Sequence, residues 1–543
     1  MYSLDLVATL HPRMKQDVYS MNAEALQPVD DIPASCVALI RQPHGSICTM
    51  NRLPPELLGH IFKHVLATPH VQETPTRDAF TAFQIWRPTI LDTTSSLVLS
   101  HVCRYWREVC LQSPTMWSHA VDSQSIPRDV LLELSRGLPL KILTISPESR
   151  WLPALSEQSK RIQELHWIQV DIDHSRSCLS FPAPSLLTVT LTGPRAPTSY
   201  QTLDSPLEDN FPVLFSDQTP SLAHLSLSSL PWLPRNRFDN LTCLYIDSCH
   251  GHNLLFRLLS LLGGCPRLEN LIISALPDFA SAHSINGTVT LGALRTLVLK
   301  QLGADDIALL LRYLALPTST AVRLTDIFPC AASLPEALAV LPPAGAATKL
   351  AIDLTAAEPC VYAVGDQSGV RVDEYTSWFH YEFWLATASM LVSRAQIKEL
   401  WLRASAPIDG KHGAALHNLI KALPELELLV VDESVVQLLG NMRGSVAFPT
   451  CPSLASVHVH CEGRAEARAI VDALLANRTQ IGCKRVVVYC MPDFTFVRED
   501  WAELEACFRS LEYQRCRNTP EMAMPEVCCA PGHMLWPSWR GRE

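Results

Sequence analysis

A short apolar phrase recurs along most of the chain, and it limits the possible folds more than any other feature of the sequence. Apolar residues occupy positions i, i+3 and i+5, and most successive clear copies begin 19 to 36 residues apart. The clear copies are 186-LLTVTL-191, 222-LAHLSL-227, 241-LTCLYI-246, 268-LENLII-273, 294-LRTLVL-299, 397-IKELWL-402, 426-LELLVV-431 and 454-LASVHV-459, and weaker copies are 140-LKILTI-145, 162-IQELHW-167 and 483-CKRVVV-488. The final alternating pair directs two side chains to one side of a strand, so each copy predicts a short β-strand.

Helical patterns lie between these strands, as in 253-NLLFRLLSLL-262, 304-ADDIALLLRYLAL-316, 413-GAALHNLIKAL-423 and 464-RAEARAIVDALLANR-478. Strands that alternate with helices favour a parallel sheet joined by crossovers. The spacing of the copies falls in the range of leucine-rich repeats. The predicted fold class is therefore α/β, with residues 130–515 forming an irregular leucine-rich-repeat-like α/β solenoid.

Two features depart from a regular leucine-rich repeat. The Asn or Cys that usually follows the strand is mostly absent, and the period is broken between residues 300 and 397. The aromatic-rich stretch 360–392 falls inside this gap and is interpreted as a helical insertion.

One face of the predicted sheet is a candidate site for a protein target. The residue between the last two apolar positions of a copy, and the residue after them, point to the open face. Exposed Tyr, Trp and Arg side chains most often dominate the energy of protein association. The predicted target-binding residues are Tyr245, Asp247, Lys300, Trp401, Arg403 and His458.

Two amphipathic helical stretches precede the repeats. In 52-RLPPELLGHIFKHVLA-67, Pro54 and Pro55 suit the start of a helix and apolar residues recur at helical spacing. In 97-LVLSHVCRYWREVCLQSPTMW-117, a second apolar stripe of Val102, Cys103, Trp106, Val109 and Cys110 ends before Pro114. A unit this small buries little apolar surface by itself, which favours a partner surface.

The words LPPE, VCRYW and P-T-M-W, in this order, resemble an F-box, and specifically the F-box-like domains common in fungal families. The resemblance covers residues 50–120, with a loop insertion at 68–93 that the compact form lacks. It implies a helical module that docks on the Skp-type adaptor of a cullin–RING ubiquitin ligase. The adaptor-binding residues that it implies are Leu53, Pro54, Leu57, Ile61, Phe62, Val102 and Trp106, whereas Trp117 is expected to pack within the module.

The two ends of the chain have no repeat pattern. Residues 1–49 are interpreted as an N-terminal extension, and the proline-containing segment 519–543 is expected to be a flexible tail. At 543 residues the chain is too long for one compact core, which agrees with a helical module followed by a separate repeat unit.

Composition excludes several classes of partner. The formal net charge of −10, with no basic block, argues against nucleic acid. No stretch of about 18 uncharged apolar residues is present, so no membrane span is expected. No secretory signal is recognisable, and the 18 cysteines are scattered through apolar segments, so we expect reduced thiols and a cytoplasmic or nuclear protein.

The sequence contains no recognisable catalytic signature. Phosphate-binding glycine loops, zinc-protease motifs and nucleophile elbows are absent, so we expect a chain that is not an enzyme and needs no cofactor. His60 and His64 lack a third ligand, and Cys528, Cys529 and His533 lack a fourth, so no metal site is expected.

The sequence thus favours a substrate-receptor subunit of an SCF-type (Skp, cullin, F-box) ubiquitin ligase. In this hypothesis the first module binds the adaptor, and through it cullin, while the repeats present an unknown protein target. The alternative is a scaffold or interaction protein outside any ligase, in which the F-box-like helices only cap the solenoid.

Overall fold

The computed structural model divides into two compact units, one ending at Trp117 and the other beginning at Ser118. The described residues are 49–66, 93–121, 126–145, 149, 151–170, 178–194, 212–277, 279, 287–327, 334–354, 359–373, 381–392, 395–404, 410–436, 451–461, 467–481, 485–491, 496–516, 521–529, 533, 535, 536 and 539. The predicted extension 1–49, apart from Thr49, and the predicted insertion 68–93, apart from Thr93, lie outside them.

The first unit is helical. It contains a 3-10 helix (Thr49–Arg52), α1 (Pro55–Leu66), α2 (Thr93–Val102), α3 (Arg104–Gln112) and a 3-10 turn (Pro114–Met116). Its interior is formed by Leu58, Phe62, Val109, Cys110, Met116 and Trp117. As expected, Trp117 packs inside, where its Nε1 donates to Cys110 O at 2.8 Å.

The second predicted helix is interrupted at Cys103. This residue is extended (φ −158°, ψ 171°), and its Sγ accepts a hydrogen bond from the Trp106 backbone N–H. A side chain that caps α3 in this way ends the preceding helix, since the capping residue cannot itself be helical. Val102 therefore ends α2 and is exposed, rather than belonging to one continuous apolar stripe.

The second unit is mixed α/β and is built on a largely parallel 17-stranded sheet. Its strands are β1 (His119–Val121), β2 (Leu140–Thr144), β3 (Ile162–Ile168), β4 (Thr188–Thr192), β5 (His224–Ser228), β6 (Cys243–Asp247), β7 (Asn270–Ser274), β9 (Thr296–Lys300), β11 (Ala321–Thr325), β12 (Lys349–Leu354), β13 (Cys360–Val364), β14 (Gly369–Asp373), β15 (Glu399–Ala404), β16 (Leu428–Asp432), β17 (Ser456–Cys461), β18 (Arg485–Cys490) and β19 (Ser510–Arg515), while β8 (Val289–Thr290) and β10 (Leu314–Ala315) form a separate pair. Every copy of the apolar phrase, clear or weak, contributes a strand. This arrangement is consistent with the predicted leucine-rich-repeat-like solenoid.

The gap in the repeat between residues 300 and 397 contains an inserted strand reversal. The sheet runs in chain order from β1 to β11, then continues through β14, β13 and β12 before resuming at β15. β13 is antiparallel to both of its neighbours, whereas β14 is parallel to β11 and β12 is parallel to β15. The interpretation of 360–392 as a helical insertion is therefore wrong for its first half, which forms the β13–β14 hairpin.

A left-handed residue follows many of the strands. Gln169, Ser229, Ser248, Ala275, Gln301 and Asp326 have φ between 48° and 64°. The Ser229 N–H donates to Asp247 O at 2.9 Å, and the Ser248 N–H donates to Ser274 O at 3.0 Å. The same bond, to the last residue of the neighbouring strand, recurs at Ala275, Gln301 and Asp326. These hydrogen bonds align the ends of neighbouring strands. They do so without the Asn or Cys that usually follows the strand in a leucine-rich repeat.

The helices of the second unit are α4 (Arg128–Leu134), α5 (Leu152–Glu157), α6 (Leu254–Gly263), α7 (Ala304–Arg312), α8 (Leu334–Val340), α9 (Pro342–Gly345), α10 (Tyr381–Val392), α11 (Gly410–Lys421), α12 (Ala467–Ile481), α13 (Arg498–Cys507) and α14 (Glu526–Cys529). Leu385 of α10 and Leu416 of α11 line one small apolar pocket with Ile352 and Leu402 of the sheet. We call this side of the sheet the back face and the opposite side the front face.

Candidate protein-interaction surfaces

The first unit carries an unusual amount of exposed apolar surface. Leu57, Val98 and Val102 are 52%, 51% and 51% exposed, and Leu111 is also exposed. Two of the residues that the F-box resemblance assigns to the adaptor, Leu57 and Val102, are in this group. Pro54 is exposed as well, and Leu53 and Ile61 are half-buried.

The other two assigned residues hold the unit together. Phe62 is buried, and its ring centroid lies 4.9 Å from that of Trp106. Trp106 is half-buried, and its Nε1 donates to Asn51 Oδ1 at 2.9 Å. Phe62 and Trp106 therefore tie α1, α3 and the preceding 3-10 helix together.

The six predicted target-binding residues all lie on the front face, because they alternate with the leucines of the back face. Strand register places Trp401, Val430 and His458 side by side on β15, β16 and β17. Asp247 and Lys300 lie at the same level on β6 and β9, with Ser274 of β7 between them. Asp247, Lys300, Arg403 and His458 are half-exposed.

Tyr245 and Trp401 are not exposed, in contrast to the prediction. They are only 3% and 8% accessible, and they belong to a cluster with Met522, Cys528, Trp536 and Trp539. These four residues come from the C-terminal stretch predicted to be a flexible tail. We call the described residues 521–529, 533, 535, 536 and 539 the C-terminal segment; it covers the middle of the front face.

Two tryptophans anchor the C-terminal segment. Their ring centroids are 5.4 Å apart, Trp536 Nε1 donates to Val527 O at 3.0 Å, and the Trp539 N–H donates to Cys528 O at 3.0 Å. A Cβ added at Gly369 would lie 2.9 Å from Trp539 Cζ3, so this ring lies directly on β14. The sequence did not predict this packing, because the large apolar residues of the C-terminal segment follow neither the period of a strand nor that of a helix.

A charged cluster lies on the front face next to the C-terminal segment. Arg323 Nε and Arg371 Nε donate to Asp373 Oδ2 at 2.9 and 2.7 Å, and Thr325 Oγ1 donates to Asp373 Oδ1 at 2.7 Å. Arg323, Arg371 and Asp373 are only 2%, 8% and 3% exposed. The register of β11 against β14 pairs the two arginines and places Thr325 beside Asp373.

A second polar cluster occupies the first strands of the front face. Lys141 Nζ lies 2.8 Å from Glu164 Oε1, and Glu164 Oε2 lies 3.5 Å from His166 Nε2. His166 Nδ1 is 2.9 Å from Thr190 Oγ1. Burial lowers the pKa of His166, although Glu164 opposes this shift. The weak copies 140–145 and 162–167 predict these two strands. They do not predict the contacts between the polar side chains of the strands.

We expect His533 to make the C-terminal segment sensitive to acid. Its burial, assisted by the positive charge of Arg323, lowers the pKa of His533 from 6.5 to about 4. A histidine with a lowered folded-state pKa stabilises the bound segment fully above pH 6.5, and this stability is lost as the pH falls towards 4. We expect the protection of the Glu521–Cys529 amides against hydrogen exchange, relative to intrinsic rates, to fall by up to about tenfold per pH unit in this window.

The His533→Gln variant provides the control for this experiment. Burial also lowers the pKa of His119 and of His460 to about 4, so the whole unit loses stability in the same range. The variant keeps those two groups and loses only the contribution of His533, so its exchange at Glu521–Cys529 should depend less steeply on pH. Identical pH profiles for the natural chain and the variant would contradict the assignment.

Two other kinds of site are absent from the described residues. Within the described ranges, no three His, Cys, Asp or Glu side chains are placed to hold a metal ion. His60 and His64 are both exposed. Among the helices in the described part of the chain, none is long and apolar enough to cross a membrane.

Comparison with known proteins gives little further information. No protein-family model matches the chain, and no curated protein matches it. One solved structure that it resembles is the leucine-rich repeat-containing protein LegL7 from Legionella pneumophila, with 12% sequence identity and a TM-score of 0.25 over 63% of this chain and 87% of that chain. A similarity at this TM-score supports no assignment of fold or function.

Proposed function

We propose that this chain is a substrate-receptor subunit of an SCF-type ubiquitin ligase, with an F-box-like first unit of the fungal kind. The first unit binds a Skp-type adaptor, and through it cullin, while the second unit holds a protein target on its front face. The chain acts in the cytoplasm or nucleus, without a cofactor and without catalysing a reaction itself.

The observation that carries this proposal is the exposed apolar surface of the first unit. Of the eleven large apolar side chains that are exposed in the described part of the chain, four belong to this unit: Leu57, Val98, Val102 and Leu111. The interior of this small unit already holds Trp117 and Phe62. Exposure of the four other apolar side chains therefore adds nothing to the stability of the unit. Four of eleven exposed large apolar side chains in so small a helical unit favour a surface that binds another protein.

The second unit supports the target-binding role by its rigidity and its chemistry. Neighbouring strands of the 17-stranded sheet are hydrogen-bonded to each other, so side chains on the front face keep fixed spacings. Asp247, Lys300, Arg403 and His458 are half-exposed there and provide both signs of charge. A target held in this way meets the ubiquitin-charged enzyme at a high effective concentration, which is the only acceleration that the chain needs to supply.

Capture of the adaptor tests the proposal. Leu57→Asp places a charge in the exposed apolar surface, and because Leu57 is exposed the unit should remain folded. We expect this variant to bind a Skp-type adaptor at least about 30-fold more weakly than the natural chain, as for a residue that contributes about 2 kcal/mol to an interface. The measurement is a pull-down of the full chain with adaptor and cullin probed in one eluate, followed by titration.

Val130→Asp is the matched control, because Val130 is also an exposed apolar residue but lies on α4 of the second unit. It should capture adaptor as the natural chain does. Trp106→Asp is unsuitable, since loss of its contacts with Phe62 and Asn51 would unfold the unit. If the folded natural chain captures neither adaptor nor cullin, the ligase role is wrong and a scaffold outside any ligase is favoured.

A further inference from the structure

The C-terminal segment occupies the part of the front face where a target was expected. Its apolar side chains contact Tyr245, Ile272, Val298, Trp401 and Val430, which belong to five strands from β6 to β16. The floor of this cluster also includes the smaller side chains of Ala321, Ala351 and Val364. The cluster is thus a groove of the sheet that a length of peptide fills.

The C-terminal segment contacts the sheet as a bound peptide ligand would, without becoming one of its strands. None of its described residues pairs with a strand of the sheet, and its helix α14 has only four residues. Hydrogen bonds from the sheet reach it through side chains: Lys349 Nζ donates to Ala523 O at 3.2 Å, and Arg323 Nη1 donates to Leu535 O at 2.7 Å. Both acceptors are backbone carbonyls, which any peptide in this position can provide.

Buried charges lie beside the apolar groove, next to the C-terminal segment. Arg323, Arg371 and Asp373 together carry a net positive charge, and arginines and aspartates are rarely buried in a protein core because of the cost of removing them from water. Because Arg323 Nη1 donates to Leu535 O, displacement of the segment returns the Arg323 guanidinium group to water. The charged cluster therefore favours a surface that is exposed for part of the time.

The contact with the segment also leaves polar groups unsatisfied. Trp401 Nε1 and Trp539 Nε1 are buried, and neither has a hydrogen-bond partner in the described structure. A buried donor without an acceptor costs about 1–3 kcal/mol. A different peptide whose carbonyl reaches Trp401 Nε1 would gain what the chain's own segment lacks.

We propose that the groove lined by Tyr245, Ile272, Val298, Trp401 and Val430 is the target-binding site, and that the C-terminal segment is an intramolecular ligand that the target displaces. The target is a protein that presents a segment with two aromatic side chains three residues apart, in the places of Trp536 and Trp539. Its backbone carbonyls accept from Arg323 and Lys349. That this ligand is a ubiquitylation target rests on the proposed function, whereas the peptide site itself does not.

A peptide with the sequence of residues 519–543, carrying a fluorescent label, is the probe. In the full chain with Trp536→Ala and Trp539→Ala, the C-terminal segment binds the groove more weakly. The groove should therefore be accessible in this variant. A tethered occupant competes at an effective concentration of about 1 mM, so we expect the variant to bind the probe at least about tenfold more tightly than the natural chain. A probe in which both tryptophans are alanine should bind neither chain.

Phe256→Ala is the matched control, because Phe256 is an exposed aromatic residue of α6 that is absent from the groove. It should bind the probe as weakly as the natural chain. If the double variant retains the exchange protection of the natural strands but binds the probe no better than the natural chain, the segment is a fixed part of the fold and the proposal is wrong.

A second experiment does not depend on the folding of the double variant. A protease site introduced between Cys516 and Glu521 in the full chain allows the segment to be cut after folding. The cut segment should dissociate on dilution and be replaced by the labelled probe, and its retention at high dilution would overturn the proposal. A dimer of the natural chain that disappears in the double variant would also overturn it, since the occupant would then come from a second copy.

Adaptor capture by the same preparations separates the two proposals. Probe binding without adaptor capture leaves the peptide site in place and removes the ligase role. Adaptor capture without probe binding leaves the ligase role in place and removes the peptide site.

Discussion

Replacement of Asp373 by alanine is expected to lower the free energy of unfolding of the second unit by about 3–5 kcal/mol, the usual cost of removing one partner of a buried ion pair. Asp373 accepts hydrogen bonds from Arg323, Arg371 and Thr325, so the variant removes the carboxylate that two buried guanidinium groups share. Urea denaturation of the full chain, followed by far-UV circular dichroism, measures this loss.

Glu512→Ala is the matched control for Asp373→Ala. Glu512 also pairs with an arginine of the neighbouring strand, with Arg485 Nη2 at 2.7 Å from Glu512 Oε2, but this pair is exposed. Exposed ion pairs contribute little to stability, so the control should unfold at the same urea concentration as the natural chain. Equal effects of the two substitutions would show that the cluster around Asp373 is not buried in solution.

Replacement of Trp117 by alanine is expected to destabilise the first unit by about 3–5 kcal/mol. Trp117 is among the largest fully buried side chains of the chain, and the substitution also leaves Cys110 O without the donor at Trp117 Nε1. A small helical unit has little stability to lose, so we expect it to unfold while the second unit stays folded. Hydrogen exchange that rises in α1 and α3 and stays unchanged in β3 to β7 would show this.

Leu111→Ala is the corresponding control in α3, because Leu111 is exposed. It should leave the exchange of α1 unchanged. If Trp117→Ala proves as mild as Leu111→Ala, the unit does not depend on the interior that the structure gives it.

The strands of the sheet are predictable from sequence for a simple physical reason. A short strand with one face in a core must place apolar residues at alternate positions, so phrases such as 241-LTCLYI-246 and 454-LASVHV-459 identify β6 and β17. The helices between them follow from a period of about 3.6 residues. This local information accounts for most of the second unit and for the exposed Leu57 of the first.

The remaining features depend on contacts between residues far apart in the chain. Arg371 and Asp373 belong to a phrase, 369-GVRVD-373, that alternates like other strands, but its pairing with β11 and β13 requires a reversal that no period encodes. Burial of Tyr245 and Trp401 depends on Trp536 and Trp539, which lie more than a hundred residues from either in sequence. Alternation shows which face a side chain is on but not what covers that face.

The left-handed residues after the strands have a consequence for how the chain tolerates change. They fix the end of each strand against its neighbour, whereas the stretches that follow differ in length, as 230–242 and 249–269 do between successive strands. Extra residues in such a stretch cost little, because loop-closure entropy grows by only about 0.6 kcal/mol for each doubling of length. Insertions can therefore accumulate on the connections during evolution, or be added by an engineer, while the spacing of side chains on the front face stays the same.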